Sequence, residues 1–163
     1  MAGAIILIGI PGSGKSTLAR TIMQRSSHSA LMISPDFIRS KLYGSAEIQG
    51  EWEQIWDRVE QEFTTAANSQ QFVIYDATNS QPKYRQEVIT LARTSGFNSI
   101  VGIWLDVPLW ICLDRNQRRG RKVPEAVVIE MYNCLKNSPP HLNEGFDRLL
   151  YKQESAISNE WLD

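Results

Sequence analysis

Four short apolar runs recur along the chain: "AIILIGI" (4–10), "ALMIS" (30–34), "FVIYDAT" (72–78) and "SIVGIWLDV" (99–107). Their length and near-continuous hydrophobicity predict strands, and the first and third read as strands buried on both faces, the parallel-sheet kind. Between the runs the period lengthens. Ser16 to Gln24 reads as a helix. Residues 51–67 place Trp52, Ile55, Trp56, Val59 and Phe63 at i, i+3, i+4, i+7 and i+11, a clear amphipathic helix. Its two tryptophans are expected in the core, with a ligand platform as the alternative. Pro35 precedes Phe37, Ile38 and Leu42 on a short helix ending at Gly44. Pro82 stands where a helix begins, and Gly96 caps its end. Pro108 starts a helix running through Cys112 towards "RNQRRGRK", and Pro124 opens another through Met131 to about Lys136. "SPPHLNEG" (138–145) is loop, and "DRLLYKQ" (147–153) a fifth, edge-like strand. Strands alternating with helices predict a three-layer α/β fold: a mainly parallel five-stranded sheet with helices on both faces. No repeat, low-complexity tract or linker divides the chain, so residues 1–163 are expected to form a single domain.

Composition alters this picture little. At 42% hydrophobic and 21% charged, 163 residues make an ordinary globular domain with a core of its own. The formal net charge of -1 argues against a protein that grips a long nucleic acid, since phosphate neutralisation supplies most of such affinity. It leaves room for a local basic patch. Cys112 and Cys134 lie inside apolar-periodic stretches and read as buried small hydrophobes. His28 and His141 are far apart in sequence, so no histidine-based metal site is expected. The first apolar run is far shorter than the roughly 20 residues that span a bilayer, and no basic leader precedes it. The expectation is a cytoplasmic protein with no membrane attachment.

Chemistry enters directly after the first strand. "GIPGSGKST" spans Gly9 to Thr17, and Gly9, Gly14, Lys15 and Ser16 fill every required place of G-x-x-x-x-G-K-[ST]. Glycines such as Gly12 and Gly14 let the backbone turn tightly and bring its N–H groups to phosphate oxygens. The positive end of the following helix dipole faces the same anion. Gly9, Pro11, Gly12, Ser13, Gly14, Lys15, Ser16 and Thr17 are therefore expected to bind the phosphates of a nucleoside triphosphate. In this P-loop, Lys15 would reach the β/γ-phosphates and Ser16 would ligate Mg²⁺.

Three further groups have two readings each. Asp76 ends the third strand, where an acid can hold Mg²⁺ through water or orient the acceptor; the alternative is a strand-end cap for Thr78 and Asn79. "RNQRRGRK" concentrates Arg115, Arg118, Arg119, Arg121 and Lys122 around Gly120, a hinge candidate. Such a run is either a solvated helix face or a mobile lid that delivers cations to the migrating phosphoryl group. Spacing alone does not say which arginine points inward. Asp36 and Arg39 follow the second strand, one helical turn apart on one face. Ligands of doubly wound sheets lie beyond the strands' carboxyl ends. If the second strand lies near the first, Asp36 comes close to the γ-phosphate as a general base, with Arg39 a fork for an anionic group on the acceptor. The alternative is a helix cap with a surface partner.

Read together, "GIPGSGKST", "SPDFIRS", "YDATN" and "LDVP…RNQRRGRKVPE…MY" resemble the kinase domain of bacteriophage polynucleotide 5′-kinase and the small P-loop kinases around it, from Ile5 to about Tyr132. The resemblance implies that Asp36 is the general base and that Arg39 binds the phosphate beside the acceptor hydroxyl. It places Arg119 in an arginine-rich lid, contacting nucleotide phosphates, and carries Asp76 over with one residue inserted before the threonine. The family's phosphatase partner motif "D-x-D-G-T" does not occur.

The expected function is ATP-dependent transfer of the γ-phosphoryl group, with Mg²⁺, to a hydroxyl. A polynucleotide or nucleotide 5′-OH is the preferred acceptor. The expected catalytic residues are Lys15, Asp36 and Arg119, with Arg115 among the nucleotide-binding residues and Arg39 and Asp76 on the acceptor side. Two other readings compete: a kinase for a small metabolite hydroxyl, with Trp52 and Trp56 lining its pocket, and a nucleotide-binding switch read by a protein partner.

Overall fold

Every apolar run becomes a strand of one sheet. The computed structural model describes residues 3–26 and 29–153, which leaves His28 outside. The strands are β1 (Gly3–Ile8), β2 (Ala30–Ile33), β3 (Phe72–Tyr75), β4 (Ser99–Asp106) and β5 (Arg148–Gln153). The helices are α1 (Lys15–Arg25), α2 (Pro35–Tyr43), α3 (Trp52–Asn68), α4 (Pro82–Thr94), α5 (Leu109–Arg118) and α6 (Glu125–Asn137). A 3₁₀ turn covers Leu142–Glu144 inside the segment predicted as loop.

The sheet order is β2-β3-β1-β4-β5, and every neighbouring pair is parallel. Helices cover both sides. This is the P-loop kinase-like α/β fold. β2 is not beside β1: β3 lies between them. The register still aligns their ends, since Ile6 and Ile33 both pair with Tyr75. The segments that follow β1, β2 and β3 therefore leave the sheet along one edge. β5 is an edge strand, as its mixed polarity predicts.

The core lies on the sheet, with Ile6, Leu7, Ile8, Val73 and Ile74 all fully buried. Phe63 of α3 meets Phe97 edge-on at 5.8 Å and Tyr75 at 5.9 Å. Burying a side chain of that size stabilises the fold by roughly 1.5–3 kcal/mol. Ile55, Val59 and Phe63 occupy the core as their spacing predicts, but Trp52 does not. It starts α3 and stays 41% exposed, while Trp56 one turn later is half-buried against the core. No helix among the described residues is long and apolar enough to cross a membrane.

Candidate active site

The phosphate loop takes the shape its glycines permit. Gly12 and Gly14 adopt φ of 86° and 94°, left-handed values that favour glycine. A Cβ at Gly12 would collide with the Cys112 carbonyl, so α5 packs directly on the loop. Gly9 N–H donates to the Thr78 carbonyl at 3.0 Å, and Ser13 N–H closes a turn on the Ile10 carbonyl at 3.1 Å. Pro11 and Ser13 are buried in the turn, whereas Ser16 and Thr17 face out from the first turn of α1. The Ser13 hydroxyl is buried with no hydrogen-bond partner.

Lys15 is buried, and its ammonium donates to the Ile10 carbonyl of its own loop at 2.9 Å. Burial lowers its pKa from the ordinary 10.5 to about 8, and Arg119 pushes the same way, while Asp76 and Asp36 oppose the fall. The carboxylates of Asp76 and Asp36 and the guanidinium of Arg119 therefore all act on this ammonium.

Beside it, the Ser16 hydroxyl donates to Asp76 Oδ2 at 2.6 Å. β1 and β3 are neighbours, so their ends bring the two residues together across 60 positions of sequence. Asp76 is thus not the cap of Thr78 and Asn79. Asn79 is buried, holds φ of 49° and donates to the Leu7 carbonyl at 2.7 Å, tying its own loop to β1. A hydroxyl and a carboxylate in contact are the oxygen donors that Mg²⁺ selects. The donor set fits that ion.

Asp36 and Arg39 lie at the end of β2. Ser34 caps α2 by accepting the Phe37 N–H at 3.4 Å, which removes the capping alternative for Asp36. Asp36, in the first turn, is half exposed instead, with Oδ1 paired to Arg39 Nη1 at 2.7 Å. Its Oδ2 pairs with Arg121 Nη1, also at 2.7 Å. Arg39 Nε is buried without a partner. The Arg39 guanidinium lies 6.0 Å from the centre of the Trp52 ring, a cation–π distance.

The four arginines of the basic stretch go four ways. Arg118 is exposed and pairs with Asp114 at 3.0 Å, the solvated-face reading. Arg115 reaches the Gly12 carbonyl at 3.4 Å, on the phosphate loop itself. Arg119 is exposed at the end of α5. Arg121, to which sequence assigned no task, is the one on Asp36. Asn116 was also missed. It is buried, donates to the Val123 carbonyl at 2.7 Å and accepts the Val123 N–H at 3.1 Å, tying the last turn of α5 to the far end of loop 119–122. An asparagine inside a run of arginines is the signal that was available. Arg85, equally unforeseen, is fully buried and holds the Asn79 and Ser80 carbonyls at 3.2 and 3.3 Å while pairing with Glu144.

A family described as AAA domain matches residues 5–136. The chain belongs to this AAA domain family. Among curated proteins, this AAA domain is 27% identical over 140 residues to the L-seryl-tRNA(Sec) kinase of Methanococcus maripaludis, covering 78% of the chain and 50% of the relative. The chain thus spans half the length of that relative. Among solved structures, it resembles a chain of the Pnkp1/Rnl/Hen1 RNA repair complex, with TM-score 0.75 and 23% identity over 84% of this chain and 45% of that one. It also resembles the Deinococcus radiodurans tunicamycin resistance protein, with TM-score 0.60 and 17% identity over 97% and 89% of the two chains.

Proposed function

We propose that this AAA domain is an ATP-dependent kinase that transfers the γ-phosphoryl group to an acceptor hydroxyl, preferably a 5′-OH of a polynucleotide or nucleotide. The observation that supports this most is Asp36: an ionisable side chain beyond the strand ends, freed from capping by Ser34, within the field of the phosphate-loop Lys15. A nucleotide switch has no use for a base there. The orphaned Ser13 hydroxyl supports phosphate binding by the loop, since a buried polar group without a partner awaits one.

In this reading the loop amides from Gly9 to Thr17 and Lys15 hold the β/γ-phosphates, and Arg115 steadies the loop from α5. Ser16 and Asp76 hold Mg²⁺, which when bound neutralises charge on the phosphate oxygens. Asp36 takes the proton of the acceptor hydroxyl as its oxygen bonds to the γ-phosphorus and the bond to the β,γ-bridging oxygen breaks, leaving ADP. Arg119 is the lid cation on the phosphates. Arg39, with its unpartnered Nε and the Trp52 ring beside it, seats an acceptor phosphate next to a flat ring. The likeness to a seryl-tRNA kinase supports an RNA-borne hydroxyl. The net charge of -1 favours reading an end over gripping a length, and a cytoplasmic location is part of the same proposal.

The test uses γ-labelled ATP and Mg²⁺ with parallel acceptors: 5′-OH DNA and RNA oligonucleotides, a nucleoside 3′-monophosphate and a panel of small hydroxyl metabolites. Label is expected on the 5′-OH substrates. Asp36→Asn lowers kcat by about 10²–10⁴, and Arg39→Ala raises acceptor KM by about tenfold or more. Label on a metabolite alone moves the acceptor to the second class, and no label on any acceptor overturns the kinase reading.

A further inference from the structure

Both oxygens of Asp36 are engaged by cations, and the two cations are held differently. Arg39 is 14% exposed, sits on helix α2 and lies against Trp52. Arg121 is 25% exposed and sits on loop 119–122, between the end of α5 and Val123, which Asn116 clasps. Gly120, its neighbour, faces open space. Each oxygen keeps a second lone pair, yet a hydroxyl that is to hand its proton to Asp36 competes with these two cations for the carboxylate's charge. The loop-borne arginine is the one that can leave.

Its destination is also fixed by charge. Asp36 carries one negative charge against the two positive charges of Arg39 and Arg121, and Lys15 and Arg119 act in the same field. Asp76 adds a second negative charge, and the four cations still outnumber the two carboxylates before any nucleotide arrives. A γ-phosphate placed at Lys15 offers Arg121 more negative charge and more acceptor oxygens than a single carboxylate does.

We propose that Arg121 is exchanged between Asp36 and the γ-phosphate: without nucleotide it occupies Asp36 Oδ2, and bound ATP draws it away, so that the base is released from one of its two cations when the donor is in place. This rests on the kinase reading above. It makes Arg121 a positioning residue of the base and a ligand of the donor, and it couples the two halves of the site through one ion pair.

Competition for one arginine has a thermodynamic signature. Asp36→Asn removes the carboxylate that holds Arg121, so the magnesium complex of AMP-PNP, a non-hydrolysable ATP analogue, binds about tenfold more tightly, the scale of an ordinary coupling. Arg121→Gln weakens the same binding. In the double variant the Asp36→Asn gain disappears, because no arginine remains to be released. MgADP, which lacks the γ-phosphate, shows no gain in any background. Calorimetric titration of the four proteins with both nucleotides measures this, and circular dichroism with Arg121→Lys checks that the fold and the charge at 121 are not at issue. An equal gain in both backgrounds means that Asp36 merely repels the nucleotide, and overturns the exchange while leaving the kinase reading intact. A wild-type protein that binds neither nucleotide overturns the kinase reading itself, and the exchange with it.

Discussion

Arg85 and Lys15 are both buried cations, and the fold treats them in opposite ways. Arg85 is completely enclosed, yet each guanidinium nitrogen is used. Nε and Nη2 take the two oxygens of Glu144 at 2.7 Å each, Nη2 also takes the Ser138 carbonyl at 3.0 Å, and Nη1 spans the Asn79 and Ser80 carbonyls. Lys15 has a single carbonyl at hydrogen-bond distance and no carboxylate in contact. Burial, not offset by a carboxylate in contact, lowers its pKa to about 8. A buried charge that is saturated holds structure together; one left short of partners is stabilised by whatever anion arrives.

The largest expected effect breaks the saturated member. Arg85→Met leaves the nearly buried Glu144 carboxylate and three carbonyls without their donor, and costs about 3 kcal/mol or more in urea denaturation. Lys15→Met goes the other way. Holding an ammonium at a pKa of about 8 rather than 10.5 costs on the order of 3 kcal/mol at pH 7, so its removal is expected to raise stability by about 1 kcal/mol after lost contacts are counted. A destabilised Lys15→Met protein would mean that the lysine is satisfied after all.

The next effect sharpens the contrast through pH. Phosphates restore the charged form of Lys15, so its pKa is higher in the nucleotide complex than in the free protein. Below pH 7 the lysine is already protonated and affinity is flat. As pH rises through 8, binding must bring a proton with it and affinity falls. At pH 8, calorimetry of MgADP in buffers of differing ionisation enthalpy should show uptake of about half a proton, absent in Lys15→Met. No uptake in the wild type would remove the contrast.

The smallest expected effect is none. Arg118 pairs with Asp114 on an open surface, and Arg118→Ala should leave nucleotide binding and stability within about 0.5 kcal/mol of wild type. A larger change would mean that loop 119–122 depends on Arg118 as well as on Asn116.

These residues also mark how far the sequence could be read. Lys15 and its loop were legible because consecutive residues build them: glycine conformations and a helix start need no distant partner. The strands and helices were legible because burial on a sheet imposes its own period, with small misjudgements at ends such as β3, which stops at Tyr75 rather than running to Thr78. Trp52 misled because its spacing matches the core face of α3, yet at the first position of the helix it stays exposed. Arg85 was invisible. Its partner Glu144 lies 59 residues away, and a lone arginine on an amphipathic helix looks like any surface charge.

By itself the sequence determined the α/β alternation and the phosphate loop, and it pointed to Asp36, Arg39 and Asp76 as candidates, because each rests on local spacing or on a motif. Only the tertiary structure decided what each group meets. It put β3 between β1 and β2, set Asp76 against Ser16, gave the α2 cap to Ser34 and selected Arg121 from a cluster of basic residues as the partner of Asp36. The physical reason is range. Backbone conformation and hydrophobic period are written in neighbouring residues, whereas a charge finds its partner through the packing of strands and loops that lie far apart along the chain.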